Sequence, residues 1–457
     1  MTKEWHHLSA LELGRKIEQQ EIDPVDLTQY FLDRIKKNDP DHKIFVRLTE
    51  ERALTEAKAA SHRAKTKTRR SPLDGVPISW KDLFDTAGIK TEAGTQLLEG
   101  RVPEEDAECL KRATLAGLVC LGKTNMPDLA FSGLGNNPWT GTGANPFDTE
   151  VERVPGGSSS GAALSVHHGL APAAIGSDTA GSVRIPAAWC GIKGLKTTHG
   201  LISLKGSVPL SPAQDTVGPL TTNFGDANIL CSIMSGKPAA DLTGVSLKGC
   251  RILKATTVFE DLVIPEFKTV IDQALTKLAA AGAEIVEGPV PAFKDVLNLC
   301  NQHGYPGMLE GYALWGDLIR EKPDRIYSAI GKRFLAGEKF SAEDVLKLQF
   351  GLEKLHAEYL EQVKGFDLVV GATQPDIPPE LDKLYEDDDF YIEKALMSIS
   401  LTRLANLLGL CATTQPAGFA GKFPVGLMLM ALPFQENKLL RLSEAVDIVL
   451  SENMHKK

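Results

Sequence analysis

The chain of 457 residues is 43% hydrophobic and 24% charged, the usage of an ordinary globular protein, which excludes global disorder and leaves room for up to about three average domains or one large α/β unit. A formal net charge of −9 sets the molecule against phosphate backbones and anionic membranes, so no direct nucleic-acid partner and no membrane partner is expected. Its 7 cysteines stand without C-x-x-C spacing, which argues against a disulfide framework or a zinc site.

In chain order, the first sixty residues read as helices: Ser9 and Glu12 have capping-box spacing, and Asp23-Pro24 opens a second helix. The amino terminus lacks the apolar core of a signal peptide, and no apolar run approaches about 18 residues, so a cytoplasmic setting is expected. The basic stretch "HRAKTKTRR" (62–70) reads as solvated surface. "GVPISW" (75–80) reads as a buried strand ending at Lys81, and "LAGLVCLGKTN" (115–125) as a second strand. The segment from Met126 to Val154 has no periodicity and reads as a long functional loop. Past residue 250, "GCRILKATT", "AEIVEG", "FDLVVGAT" and "FPVGLMLMALPF" read as strands, and residues 295–365 as mainly helical. "KLYEDDDFYIEKA" (383–395) reads as a solvated turn, with a place at a substrate mouth as the alternative. A closing amphipathic helix ends the chain.

Two small-residue loops carry the chemistry. "GGSSSG" runs into "AALSVHHG", a helix-compatible segment, so the serines sit at a helix N-terminus, where unpaired N–H groups and the macrodipole ease deprotonation of a hydroxyl. Neither G-x-x-x-x-G-K-[ST] nor G-x-G-x-x-G is present, which disfavours a phosphate cradle. The second loop, "GSDTAGS", presents Ser182 among the N–H groups of Thr179, Ala180, Gly181 and Ser182 itself, a nest suited to a developing oxyanion. A serine nucleophile needs a base. His167, His168 and His199 lack a G-x-S-x-G elbow, whereas Lys81 at the end of an apolar strand would be desolvated and could act as a neutral amine or serve as a salt-bridge partner.

The segments "GVPISWKDLFDTAGIKTEAGT", "GKTNMPDLAFSG", "NPFD", "VPGGSSSGAALSVHHGLAPAAIGSDTAGSVRIPAAWCGIKGLKTTHG" and "DTVGPL" resemble, in order, the motifs of the amidase signature family. The likeness spans roughly residues 8–447. It implies an α/β fold: one large domain over 1–457 with a mixed central sheet covered by helices on both faces. Within it, 8–65 forms a helical appendage, 75–220 the catalytic core, and 250–447 the rest of the sheet and the substrate-pocket helices. It further implies a Ser-Ser-Lys triad of Lys81, Ser158 and Ser182, with the two serines 24 residues apart, Ser158 on a cis peptide, and Asp178 and Arg184 as braces. Ser159 and Ser160 are expected to hold the turn.

Where family members usually carry two glycines before the nucleophile, this chain has Ala180-Gly181. An alanine there would strain the loop if its position required φ > 0. "GGSSSGA" likewise stands where "GGSSGGS" is common.

The implied activity is hydrolysis of a linear carboxamide C–N bond through a Ser182 acyl-enzyme, releasing ammonia or an amine, with no metal or cofactor. The expected partner is a small-molecule amide, and the expected assembly a monomer or homodimer. The alternative is the glutaminase subunit of a tRNA-dependent amidotransferase, although Asn301–Lys347, where such subunits keep glutamine-binding elements, does not match. A non-enzymatic binding protein is disfavoured by retention of all three triad residues. Pocket candidates are the loop 126–145 with Met126 and Gly133, the stretch around Cys300, Tyr305, Leu309 and Tyr312, and the segment near Leu384 and Tyr391. Their apolar and aromatic character points to an aliphatic or aryl acyl group.

Overall fold

Eleven strands join in one mixed sheet in the computed structural model, which describes residues 4–451. They are β1 (Phe45–Leu48), β2 (Pro77–Lys81), β3 (Val119–Thr124), β4 (Ala173–Asp178), β5 (Lys193–Lys196), β6 (Thr216–Thr221), β7 (Arg251–Ala255), β8 (Glu284–Gly288), β9 (Leu368–Ala372), β10 (Cys411–Ala420) and β11 (Phe423–Ala431). Across the sheet the order is β1-β3-β2-β4-β6-β5-β10-β11-β9-β7-β8. The two ends of the 1–457 span, residues 1–3 and 452–457, lie outside the described residues.

β2 runs parallel to both β3 and β4, and β4 runs antiparallel to β6. Every residue of these four strands is buried, as expected of a sheet covered on both faces, whose strands read as short continuous runs rather than alternating ones. Two hydrophobic cores share this sheet. One gathers the N-terminal helices around Ile78, Trp80 and Ile175, and the other gathers β9–β11 and the closing helix Glu436–Ser451 around Val370, Leu427 and Leu429.

The local signals act where the sequence places them. Ser9 and Glu12 form a reciprocal capping box on Ala10–Glu18, and the Asp23 side chain caps Pro24–Asn38. The first sixty residues are not all helical, however. β1 interrupts them, because its four residues find an antiparallel partner in β3, far along the chain, and tertiary pairing overrides a run too short to show a period.

The acidic segment 383–395 is helical, not a turn: Lys383–Glu386 is followed by Asp388–Ser398. Asp387 caps the second helix by accepting from Asp389 N, and the carboxylates of its first turn suit the positive end of the dipole. Within the basic stretch, Arg63 is paired with Asp74 at 2.6 Å. Among the described residues no helix is long and apolar enough to cross a membrane.

Candidate active site

β2 delivers Lys81 to the centre of the fold, where its side chain is completely buried. Its Nζ lies 2.7 Å from Ser158 Oγ and 2.8 Å from Ser177 Oγ. Burial pulls the ammonium down to about 7 against the opposing pull of Asp215 and Asp178, so the amine is neutral in half the molecules near neutral pH. Ser177, the second hydroxyl on this amine, escaped the sequence reading. The only signal for it was its place one residue before Asp178 in the same small-residue run.

Ser158 follows a cis peptide from Gly157. The loop must pass close to a neighbouring segment here: a Cβ on Gly157 would sit 2.6 Å from Gly135 N, so glycine is required. Ser159 occupies the position just before the helix Ser160–His167, so the serines do stand at a helix N-terminus. Ser159 and Ser160 hold their turn by reaching outside it. Ser159 N donates to the Ser182 carbonyl at 3.1 Å, Ser159 Oγ to the Ser177 carbonyl at 3.3 Å, and Ser160 Oγ to the Asn125 carbonyl at 3.2 Å. The first of these bonds sets the two serine loops side by side.

The loop between β4 and the helix Arg184–Trp189 is framed by one buried carboxylate. Asp178 accepts from Gly181 N at 2.8 Å and Val183 N at 3.1 Å, from Arg184 at 3.0 and 3.1 Å, and from Asn406 Nδ2 at 2.9 Å. Burial alone would raise this carboxyl, but Arg184 and the converging N–H groups outweigh it and hold the group well below the usual carboxylate range. Thr402 Oγ1 donates to the Ala180 carbonyl at 2.6 Å.

One expectation changes. The Gly181 N–H, counted among four donors to an oxyanion, is committed to Asp178. The N–H groups of Thr179, Ala180 and Ser182 remain without a partner among the described residues. Gly181 has φ 131, whereas Ala180 lies outside the positive-φ region, so the alanine adds no backbone strain. The histidines near the loops are engaged elsewhere: His167 Nδ1 lies 2.7 Å from the Cys190 carbonyl and His199 Nδ1 3.0 Å from that of Asp215.

Ser182 opens onto a cavity of about 210 Å³ walled mainly by Ala130–Gly133, Tyr305–Met308, the face Ile392–Leu396–Ile399, and Arg403 with Asn406 and Leu407. Gly133 and Tyr305 line it as expected. Met126 and Leu309 do not. Met126 is wholly buried and presents its backbone carbonyl to Asn137, while Leu309 turns away and packs on Gly304. The wall also holds Arg333 and Arg403, which nothing local in the sequence distinguished from surface cations on helices. The aliphatic or aryl reading of the pocket therefore omitted its charge.

The Amidase family pattern matches residues 26–440. The chain is 31% identical to the glutamyl-tRNA(Gln) amidotransferase A subunit of Marinobacter nauticus, over 95% of this chain and 96% of that one. Among solved structures it is similar to an amidase, with 29% identity and a TM-score of 0.86, covering 97% of this chain and 100% of that one. The glutamyl-tRNA(Gln) amidotransferase A subunit of Thermotoga maritima superposes with a TM-score of 0.79 at 26% identity, over 98% and 96% of the two chains. A family match over most of the chain and relatives aligned nearly end to end show an amide hydrolase of one family: the chain belongs to the amidase family.

Proposed function

We propose that the chain hydrolyses a carboxamide by the sequence Ser182, Ser158, Lys81. The observation that carries this reading is the fully buried Lys81 amine, lowered to about 7 and 2.7 Å from Ser158 Oγ. Ser182 Oγ attacks the carbonyl carbon and passes its proton to Ser158, whose own proton goes to the neutral Lys81 amine. The oxyanion is met by the N–H groups of Thr179, Ala180 and Ser182, with Gly181 holding the turn through Asp178. As the C–N bond breaks, Lys81 returns its proton through Ser158 to the leaving nitrogen. Water then takes the place of Ser182 by the same relay and releases the carboxylate. Asp178 and Arg184 act as braces, and Ser177 orients the Lys81 amine.

The reading is tested by stopped-flow acylation with a chromogenic anilide. A burst of amine release is expected in the native enzyme. It should be lost in Ser182→Ala and reduced by about 10²–10⁴-fold in Ser158→Ala and Lys81→Ala, the range of a general acid-base contribution. Native-like turnover in any of the three would overturn the assignment.

A second reading, the glutaminase subunit of a tRNA-dependent amidotransferase, is favoured by identity at 31% and 32% to two such glutamyl-tRNA(Gln) amidotransferase chains over 95% and 96% of this one. A free-standing hydrolase of the cytoplasm remains the preferred reading, because a glutamine would bring an ammonium group into a wall that offers it no carboxylate among the described residues. Co-purification from the native host distinguishes the two: stoichiometric partner subunits support the amidotransferase, and a lone active chain the hydrolase.

A further inference from the structure

The cavity in front of Ser182 carries two guanidinium groups and no acidic side chain among the described residues. Arg403 begins the helix Arg403–Leu407, whose Asn406 and preceding Thr402 clasp the loop that bears Ser182. Its guanidinium lies 4.7 Å over the Tyr305 ring. Its Nε is buried with no hydrogen-bond partner, and no carboxylate among the described residues is within ion-pair reach. Arg333 lies 4.3 Å over the Phe131 ring and, among the described residues, donates only to the Phe131 carbonyl.

Acidic groups bordering this region are already engaged. Asp178 is held by Arg184 and Asn406, and Glu310 accepts from Ser211 Oγ and Ala213 N. A buried cation without a counter-ion is costly, and removing water from it gains nothing unless an anion arrives. The same fold shows the contrasting case in Arg184, which is completely buried and paired with Asp178, whereas Arg333 and the half-buried Arg403 keep some contact with the cavity. Burial pulls both wall arginines below the usual guanidinium range, yet both remain cationic at neutral pH. A guanidinium fork matches a carboxylate in two parallel hydrogen bonds, which gives orientation as well as attraction.

We propose that the substrate is an anionic amide, the monoamide of a short dicarboxylic acid, whose free carboxylate is received by Arg403 with Arg333 beside it while its carboxamide meets Ser182. This rests on the acyl-enzyme reading above for the chemistry, but the anion site is defined by the wall alone. Hydrolysis of such an amide yields ammonia and a dicarboxylate, so the preceding reaction must make a half-amide and the following one must consume a dicarboxylic acid.

Three amides isolate the two charges: glutaramate, pentanamide, which replaces its carboxylate by a methyl group, and L-glutamine, which adds an α-ammonium. The native enzyme should favour glutaramate over each of the others by roughly 10- to 100-fold in kcat/KM, the range expected when a hydrogen-bonding charge site is satisfied or left empty. In Arg403→Met the glutaramate-to-pentanamide ratio should collapse toward one, chiefly through KM, and Arg403→Lys should restore part of it. A binding measurement removes the dependence on turnover: calorimetry should detect glutarate on Ser182→Ala and not on Ser182→Ala/Arg403→Met.

Equal rates on glutaramate and pentanamide, with a normal acylation burst, would overturn the anion site and leave the acyl-enzyme reading intact. Glutarate binding that depends on Arg403, in an enzyme that acylates with no amide, would uphold the site and overturn the chemistry. A preference for L-glutamine would overturn the proposal in favour of the glutaminase.

Discussion

Thr402 donates its hydroxyl to the carbonyl of Ala180 at 2.6 Å, across 222 residues of sequence. The bond ties the loop that presents Ser182 to the C-terminal half of the chain. Replacing Thr402 by the near-isosteric Val leaves that carbonyl without its partner, at about 1 kcal/mol of stability. The loop N–H groups then lose their aim. We expect kcat to fall about 10-fold with little change in KM, since the contact supports the transition state rather than the ground state. Thr402→Ser should recover most of the rate, which steady-state kinetics would read directly.

Neighbouring positions in the same loop should respond oppositely. A Cβ on Gly181 would stand 2.1 Å from Thr402 Oγ1, and the residue's φ of 131 is one that L side chains rarely adopt. Gly181→Ala should therefore lose most activity and several degrees of thermal stability. Ala180→Gly should bring no gain in rate, because Ala180 is not in a positive-φ conformation. An Ala180→Gly enzyme markedly faster than the native one would show that the methyl group does obstruct the oxyanion site.

The pH profile follows from Lys81. Below about 7 the amine is protonated and cannot accept the relayed proton, and above about 7 it is free to do so. The acidic limb of kcat/KM should thus rise with pH and reach half its plateau near 7. Lys81→Arg keeps the charge but removes the neutral form across the accessible range. It should be inactive at every pH, whereas a structural role for the lysine would leave it partly active.

Asp178 and Arg184 form a wholly buried pair at 3.0 Å. Removing the carboxylate alone, in Asp178→Ala, strands the guanidinium and frees the Gly181 and Val183 N–H groups, and should destabilise the fold by about 3–5 kcal/mol. Asp178→Asn keeps an acceptor for the loop and should cost less. Urea unfolding would show a lower midpoint for both, with Asp178→Ala the lower.

The setting of Lys81 and of the two serine loops was legible because it is local, while the choice of Ser158 within its loop came from the family resemblance. A largely apolar run ends at Lys81, and small residues crowd Ser158 and Ser182, so both desolvation and close backbone approach are written within a few positions. The strands around them were legible for the same reason, while β1 gains its identity from a distant partner. The cavity wall was not legible residue by residue. Arg333 and Arg403 sit in helical stretches whose spacing does not say which way a cation faces, and only packing of Arg403 on Tyr305 and Arg333 on Phe131 turns them inward. Leu309 shows the limit from the other side. The stretch was located, but one step along a helix rotates a side chain by about 100°, enough to move it from the wall to Gly304.

The charged side of the wall and the proposed relay come from different parts of the chain: Lys81, Ser158 and Ser182 from strand ends and loops before residue 183, Tyr305, Arg333, Ile392 and Arg403 from helices and their edges after residue 300, with Ala130–Gly133 closing the wall from the first half. Mutation in the second half can thus change the charge of the pocket while the residues of the proposed relay are inherited unchanged. A gene duplicate need rewrite only a handful of codons in its second half to enter a new metabolic niche.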